Sequence, residues 1–356
     1  MRAVEVLAAI TSGDITGLYP KIMTAVEAAA REARFGRQLV KENRDLKGTK
    51  GRTLTVPYRS RIAYSGSTAV GYVAEGATPT TVQATYTIVE ATVTKIGANF
   101  QITQEAIDSV AVDIIKDQIM EVGEALADFE DWMIMDELYG MTEYTSIISG
   151  DLTMTLTGPL LELLEYRETD AAGTDKSGEI TSKDAYSAAS PTECTIIVSA
   201  TYTNVFFKWK ASGRTNWFEG VGTTTEADYI DLVKGRTEMK KLHYKPNVAI
   251  LGPDHEAKLL EDSRFIDTSQ YGDRAPILKG EIGKAAGLKL LTCIHSYPHC
   301  VMFLDTSRAG WLLLKRDLDM KLKELPEVDS YAYYFYMELL PKVIHEDAIV
   351  CVAVDE

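Results

Sequence analysis

Cysteine and histidine are scarce in this chain of 356 residues, which has four of the first and five of the second. Thiols at 194, 293, 300 and 351 are too few and too scattered to staple a protein of this size, so they are expected to be reduced. Long apolar runs are missing as well. The opening MRAVEVLAAITSG is broken by Glu5, and no later run exceeds the seven residues of AIVCVAV, shorter than a membrane span or secretion signal requires. The expectation is a soluble product made in the cytoplasm, with no membrane partner. Positive charge is in deficit, with 37 Lys and Arg against 52 Asp and Glu, a net of −15. Such a surface repels phosphate, which excludes a protein whose main work is to coat nucleic acid or sit on anionic lipid.

The charge is segregated. Arg31 to Arg61 holds ten basic and three acidic residues, a net of +7, while Thr103 to Tyr139 holds eleven acidic and one basic residue, a net of −10. The basic segment has only Phe35 and Tyr58 as aromatics and no nucleic-acid reading motif, which favours a protein contact. Residues 20–44 read as a helix, with Pro20 suited to a first position and Ile22, Val26, Ala29 and Ala33 at helical spacings. That apolar stripe is thin, so the helix should lie on something else. From Gly51 to Ile102, TLTVPYRSRIAYSG and TYTIVEATVTKIGANFQI flank the turn residues of SGSTAVG and EGATPTT and predict a long hairpin.

Thr103 then suits an N-cap, and Ile107, Val110, Ile114, Val122, Phe129 and Met133 continue on helical spacing to Gly140. Residues 165–192 are rich in Ser, Thr, Gly, Ala and Asp and predict a surface insertion or mobile loop. Beyond them, the strands CTIIVSA, NVAILG, GLKLLTCIH and CVMFLD alternate with the helices EADYIDLVKGRTEMKKL and PDHEAKLLED, as in an α/β lobe. The chain closes on strands from Trp311.

Chemical motifs are fragmentary. CIHSYPHC, Cys293 to Cys300, gathers two thiols and two imidazoles, but its C-x-H-x3-H-C order is not a standard zinc spacing and no second pair lies near it in sequence. A β-hairpin with the turn SYPH is the expectation, its cysteines acting as small apolar residues. GEIGKAAG lacks the Gly and the Ser or Thr of a phosphate loop. HEAKL has Leu259 where a zinc protease needs His, and GVGTTT has Thr225 in place of the last Gly of a dinucleotide fingerprint. No G-x-S-x-G elbow occurs, and no catalytic residue, cofactor or metal is assigned.

Taken in order, these pieces resemble the major capsid proteins of tailed double-stranded DNA viruses, the Hong Kong 97 fold. The resemblance rests on YVAEGATPT (Tyr72 to Thr80), the strand through Lys95 and Phe100, ITQEAIDS opening the helix, NVAILGPDHEAKLLEDSRF and GEIGKAAGLKLL. It implies an α+β fold with an N-terminal arm (1–50), an extended hairpin or E-loop (51–84) and a peripheral domain (85–164) with a spine helix (103–139). The 165–192 insertion, an axial domain (193–305) and closing, mainly peripheral strands (306–356) follow. It also implies self-assembly into hexamers and pentamers of an icosahedral virion shell enclosing double-stranded DNA without sequence-specific binding, with a separate scaffolding protein and a portal as partners.

Inter-subunit contacts are expected where the basic arm meets the acidic helix of a neighbour. The candidates are Arg31, Arg34, Arg37, Lys41, Arg44, Arg52, Arg59 and Arg61, facing Asp113, Asp117, Glu121, Glu124 and Asp128, with Glu75 in the hairpin. Some members of the family weld their shells by an isopeptide bond between a hairpin Lys and a peripheral-domain Asn. Here the segment 51–84 holds no Lys and no Asn follows Asn247, so no such bond is expected. An encapsulin-like compartment and an enzyme using a metal at Cys293–Cys300 are the alternatives.

Overall fold

The structure, a computed structural model, describes residues 35–59, 72–73, 75–79, 81–82, 84–103, 113–149, 153–157, 160–169, 175–179, 185–190, 193–197, 204–220, 227–262, 284–297, 300–325 and 330–354. The first elements are β1 (Lys41–Asn43), β2 (Thr53–Arg59), β3 (Tyr86–Thr92), β4 (Thr94–Thr103) and α1 (Asp113–Tyr139). Then come β5 (Met141–Ser149), β6 (Thr153–Thr157), β7 (Leu160–Thr169), β8 (Asp175–Glu179), β9 (Ala185–Ser190), β10 (Glu193–Ile197) and β11 (Asn204–Ser212). The last part holds β12 (Trp217–Glu219), α2 (Tyr229–Lys241), β13 (Val248–Leu251), α3 (Pro253–Glu261), β14 (Lys284–Ala285) and β15 (Leu288–Thr292). It ends with β16 (Cys300–Leu304), β17 (Gly310–Leu325), β18 (Ser330–Val343) and β19 (Ile349–Ala353).

Helix α1 presents one buried stripe, because Leu126, Ala127, Ile134, Met135, Leu138 and Tyr139, with Glu130 and Asp131 between them, recur at spacings of three and four and are all buried. Its 27 residues span about 40 Å at ~1.5 Å each. Gly140, at φ +64°, ends it in the left-handed region that glycine adopts freely. Arg214 donates to the carbonyls of Leu138 and Glu137 in the last turn, placing a cation at the negative end of the helix dipole.

Two sheets close on that stripe. In the order β1-β17-β18-β4, β1 runs parallel to β17 and the other neighbours are antiparallel. Alternation along β17 decides what each face covers: Leu312, Leu314 and Met320 join the α1 core, while Leu313 joins Leu46, Ala91 and Val93 on the other side. The sheet therefore separates α1 from the root of the β2–β3 ribbon. The second sheet, β12-β19-β16-β13-β15-β14, is buried on both faces at its centre. Cys300, Met302, Leu304, Ile349 and Cys351 face the α1 core, and Val301, Phe303, Val350 and Val352 face a separate core that includes Leu232 and Met239 of α2.

Several boundaries differ from the sequence expectation. The part of the 20–44 helix that falls before residue 35 lies outside the described residues. Gly36–Gln38 form a 3-10 turn, and Lys41–Asn43 are a strand because they pair in parallel with Trp311–Leu313 instead of continuing a helix. Thr103 is the last residue of β4, paired with Ser330, and the helix start expected just after it falls in residues 104–112, outside the described residues. The long strand expected from Thr85 is two strands divided at buried Val93, with β3 paired to β2 and β4 to β18, so the hairpin extends to Thr92 and past 84. Residues 165–192 include strands in place of a loop, and β7 and β8 share a sheet with β5 and β11. β10 pairs with β6 and β9 in a three-stranded sheet and β11 with β5 and β7, so neither joins the six-stranded sheet, which recruits β19 from the closing strands.

The tightest joint is between α2 and β16. A Cβ on Gly235 would sit 2.1 Å from the Phe303 ring, and that ring is fully buried. Alanine normally favours a helix by about 1 kcal/mol over glycine, yet overpacking a core costs about 1–3 kcal/mol. Gly235→Ala is expected to lower the denaturant midpoint of the dissociated subunit, with the clash outweighing the helix gain.

Candidate inter-subunit surfaces

The basic arm does meet the acidic helix, but within one subunit. Glu130 and Asp131 lie in the buried stripe of α1, 0% and 4% exposed. Asp131 accepts hydrogen bonds from the backbone N–H groups of Phe35 and Gly36, each at 2.7 Å. Arg37 donates through Nε and Nη2 to both oxygens of Glu130 and reaches Asp317 at 3.1 Å. Burial alone would lower the Arg37 pKa, but hydrogen bonds and charge from Glu130 and Asp317 raise it, so the guanidinium stays charged. Desolvation raises the Asp131 pKa, opposed by the two backbone donors. A Cβ on Gly36 would lie 2.9 Å from Asp131 Oδ1, so only glycine lets the arm backbone approach this closely.

The remaining candidates are solvent-facing or outside the described residues. Arg31, Arg34 and Arg61 lie outside them. Lys41, Arg44, Arg52 and Arg59 are exposed; Arg44 pairs with Glu42 at 3.0 Å, and none of the four pairs with α1 among the described residues. Glu121, Glu124 and Asp128 line the exposed face of α1, and Asp113 and Asp117 belong to the same helix. Glu75 is exposed beside Gly76, whose φ is +78°. Phe129, counted above in the apolar periodicity of the helix, and Trp132, which sequence reasoning missed, stand among these carboxylates at 43% and 37% exposure with ring centroids 5.5 Å apart.

It also missed a cleft of ≈ 440 Å³ between the β2–β3 ribbon and the four-stranded sheet, lined by Lys41, Tyr58, Arg59, Arg308, Trp311 and His345 among others. Tyr58 stacks edge-on against His345 at 5.2 Å. Desolvation and the charge of Arg308 lower the His345 pKa. These residues come from four distant stretches of the chain, so no local motif announces them.

CIHSYPHC is not a simple hairpin, because β13 lies between β15 and β16 and the connection crosses its end. Cys293 and Cys300 are buried, and burial pushes the Cys300 thiol up to about 12 and raises Cys293 as well. Such thiols are protonated near neutrality, unlike metal-binding or nucleophilic thiolates. His295 Nε2 is buried without a hydrogen-bond partner among the described residues, and Pro298 and His299 lie outside them. Ser296 bonds Tyr139 at 3.1 Å and Tyr297 meets its ring edge-on at 4.8 Å, so the segment packs the end of α1. No group of three or more potential metal ligands occurs among the described residues.

The family model for phage capsid protein matches residues 86–333. No curated protein matches the sequence. Among solved structures, the mature capsid of bacteriophage PhiM1 aligns over 90% of this chain and 86% of its own, with a TM-score of 0.54 and 8% identity. A Mycobacterium phage Che8 structure aligns over 90% of both chains at TM-score 0.53 and 13% identity. A virus-like particle from Pyrococcus furiosus aligns over 94% and 98% at TM-score 0.50 and 12% identity. At these identities the likeness is one of fold.

Arg37 and Arg44 should behave differently on truncation. Arg37→Ala removes the guanidinium from a fully buried carboxylate and is expected to cost about 3–5 kcal/mol of subunit stability. Arg44→Ala breaks an exposed pair and should cost about 0–1 kcal/mol. Denaturant unfolding of the dissociated subunit separates the two.

Proposed function

This chain belongs to the phage capsid protein family, and we propose that it is the major shell protein of a tailed-phage virion. It acts by assembly and not by catalysis. Many copies, in hexamers and pentamers, close an icosahedral shell around double-stranded DNA, with a separate scaffolding protein and a portal as partners. The chain is made in the host cytoplasm and ends in the virion. The arm (1–50) and the hairpin, extended here to 92, reach neighbouring subunits. The sheet of β4, β17 and β18 with α1 is the peripheral unit, and the six-stranded sheet with α2 and α3 is the axial unit.

The β2–β3 ribbon carries this reading. It is a two-stranded sheet paired from Thr53↔Thr92 to Arg59↔Tyr86. An isolated pair of strands is marginal in water. Tyr86 and Ile88, two residues apart and so on one face, are 65% and 62% exposed, and Tyr72 and Val73 are exposed beyond them. Among the described residues nothing covers these apolar groups, and a neighbouring chain laid on the ribbon would bury them. Net repulsion supports a mobile genome: outside the arm segment the chain carries −22, which would keep packaged DNA from adhering to the wall.

An encapsulin-like compartment is the second reading, favoured by the fold shared with the Pyrococcus furiosus virus-like particle. The contents of purified particles separate the two, since DNA supports the virion and packaged protein the compartment. Expressed alone, the chain is expected to give closed shells or ring-shaped capsomers by sedimentation and negative-stain microscopy; a monodisperse monomer at assembly concentrations overturns the proposal. Reduced, boiled particles should migrate as a single band near 39.3 kDa, because the hairpin 51–84 supplies no Lys for a crosslink. A ladder of covalent oligomers is the contrary result.

A further inference from the structure

We infer that the cleft between the β2–β3 ribbon and the four-stranded sheet is a receptor for the acidic, aromatic face of α1 on a second copy of this chain. The inference rests on the shell-protein reading and specifies one of its contacts. Lys41, Arg59 and Arg308 line the cleft with Tyr58, Trp311 and His345, and no carboxylate lines it among the described residues. Two carboxylates near His345 are already engaged: Asp305 accepts from Ser307 and from the backbone of Lys245, and Asp347 accepts from Asn216. Lys41 and Arg59 form no ion pair among the described residues, and Arg308 is exposed with its guanidinium 5.9 Å from the Tyr244 ring. The occupant must therefore bring negative charge and apolar surface together.

The outer face of α1 has that composition. Glu121, Glu124, Asp128, Phe129 and Trp132 recur at spacings of three and four and are all exposed, opposite the buried stripe. The same subunit's helix cannot fill the cleft. Along β17, Leu312 and Leu314 face α1 whereas Trp311 and Leu313 face the ribbon root, so the sheet stands between the two surfaces. A cleft on one copy and a helix face on the next make a head-to-tail contact, the kind that closes rings. Duplex DNA fits less well, because its phosphate rod brings no apolar surface to match Tyr58 and Trp311, which line the cleft beside the cations. Exposed ion pairs contribute little singly, so the aromatic rings must supply much of the contact and the charges its register.

The test reverses charge on each side. Full-length chains carrying Lys41→Glu with Arg59→Glu, or Glu121→Lys with Glu124→Lys and Asp128→Lys, are assembled separately, and both sets are also combined in one chain, at low salt. Circular dichroism and denaturant midpoints check that each subunit is folded. The expected result is that each variant alone falls to background in pelletable shells while the chain with both reversals recovers assembly. Arg308→Gln should weaken assembly without reversing partner choice. Unchanged assembly of the Lys41 and Arg59 variant overturns the inference, as does loss that the combined chain fails to restore, which would give the cleft another occupant. Normal shells with altered DNA content would assign the cleft to nucleic acid and also overturn it. Failure of the unaltered chain to assemble would instead overturn the shell-protein reading.

Discussion

Burial of one face of α1 against two sheets at once is the constraint on which the molecule is built. The same stripe meets Phe335 and Leu312 on the four-stranded sheet and Met302 and Cys351 on the six-stranded one, so the three surfaces share one core. Two carboxylates inside that stripe, Glu130 and Asp131, would be prohibitive there without partners. Arg37 and the backbone N–H groups of Phe35 and Gly36 supply them, so the start of the described arm completes the core as well as leading away from it. The arm's position is thereby coupled to the stability of the helix.

That coupling redistributes the meaning of the charge pattern. The +7 and −10 segments attract as their signs suggest, but the contact between them among the described residues is internal and largely dry. What remains exposed is the outer rim of each segment: Lys41 and Arg59 on one side, Glu121, Glu124 and Asp128 on the other. Net charge per segment could not separate inner from outer groups, because the separation depends on which turn of the helix faces the sheets.

Legibility in the sequence followed the range of the interaction. The α1 helix, the β17 and β18 strands and the helices α2 and α3 have strong local periods, and the order of elements was enough for the family resemblance. The break at Val93 was hidden because both flanking strands have the same β-rich composition, and only their partners differ. The strands of the 165–192 region were hidden by small polar residues whose pairing comes from distant neighbours such as β11. Lys41–Asn43 read as helix because nothing local reveals a parallel partner more than 250 residues away. The cleft was invisible for the same reason, being assembled from separated stretches with no common spacing.

The strands that lead into and out of the insertion have a further consequence. β5 begins one residue after Gly140 and β11 ends just before Arg214, and the two pair antiparallel from Met141↔Ser212 to Ser149↔Asn204. Departure and return are therefore side by side, and Gly213 N–H closes the base on the Gly140 carbonyl at 2.9 Å. A segment tethered in this way works as an interchangeable cassette. Its length is thereby decoupled from the body of the molecule, because the clasp at its base holds helix and sheet together whatever lies beyond the two strands.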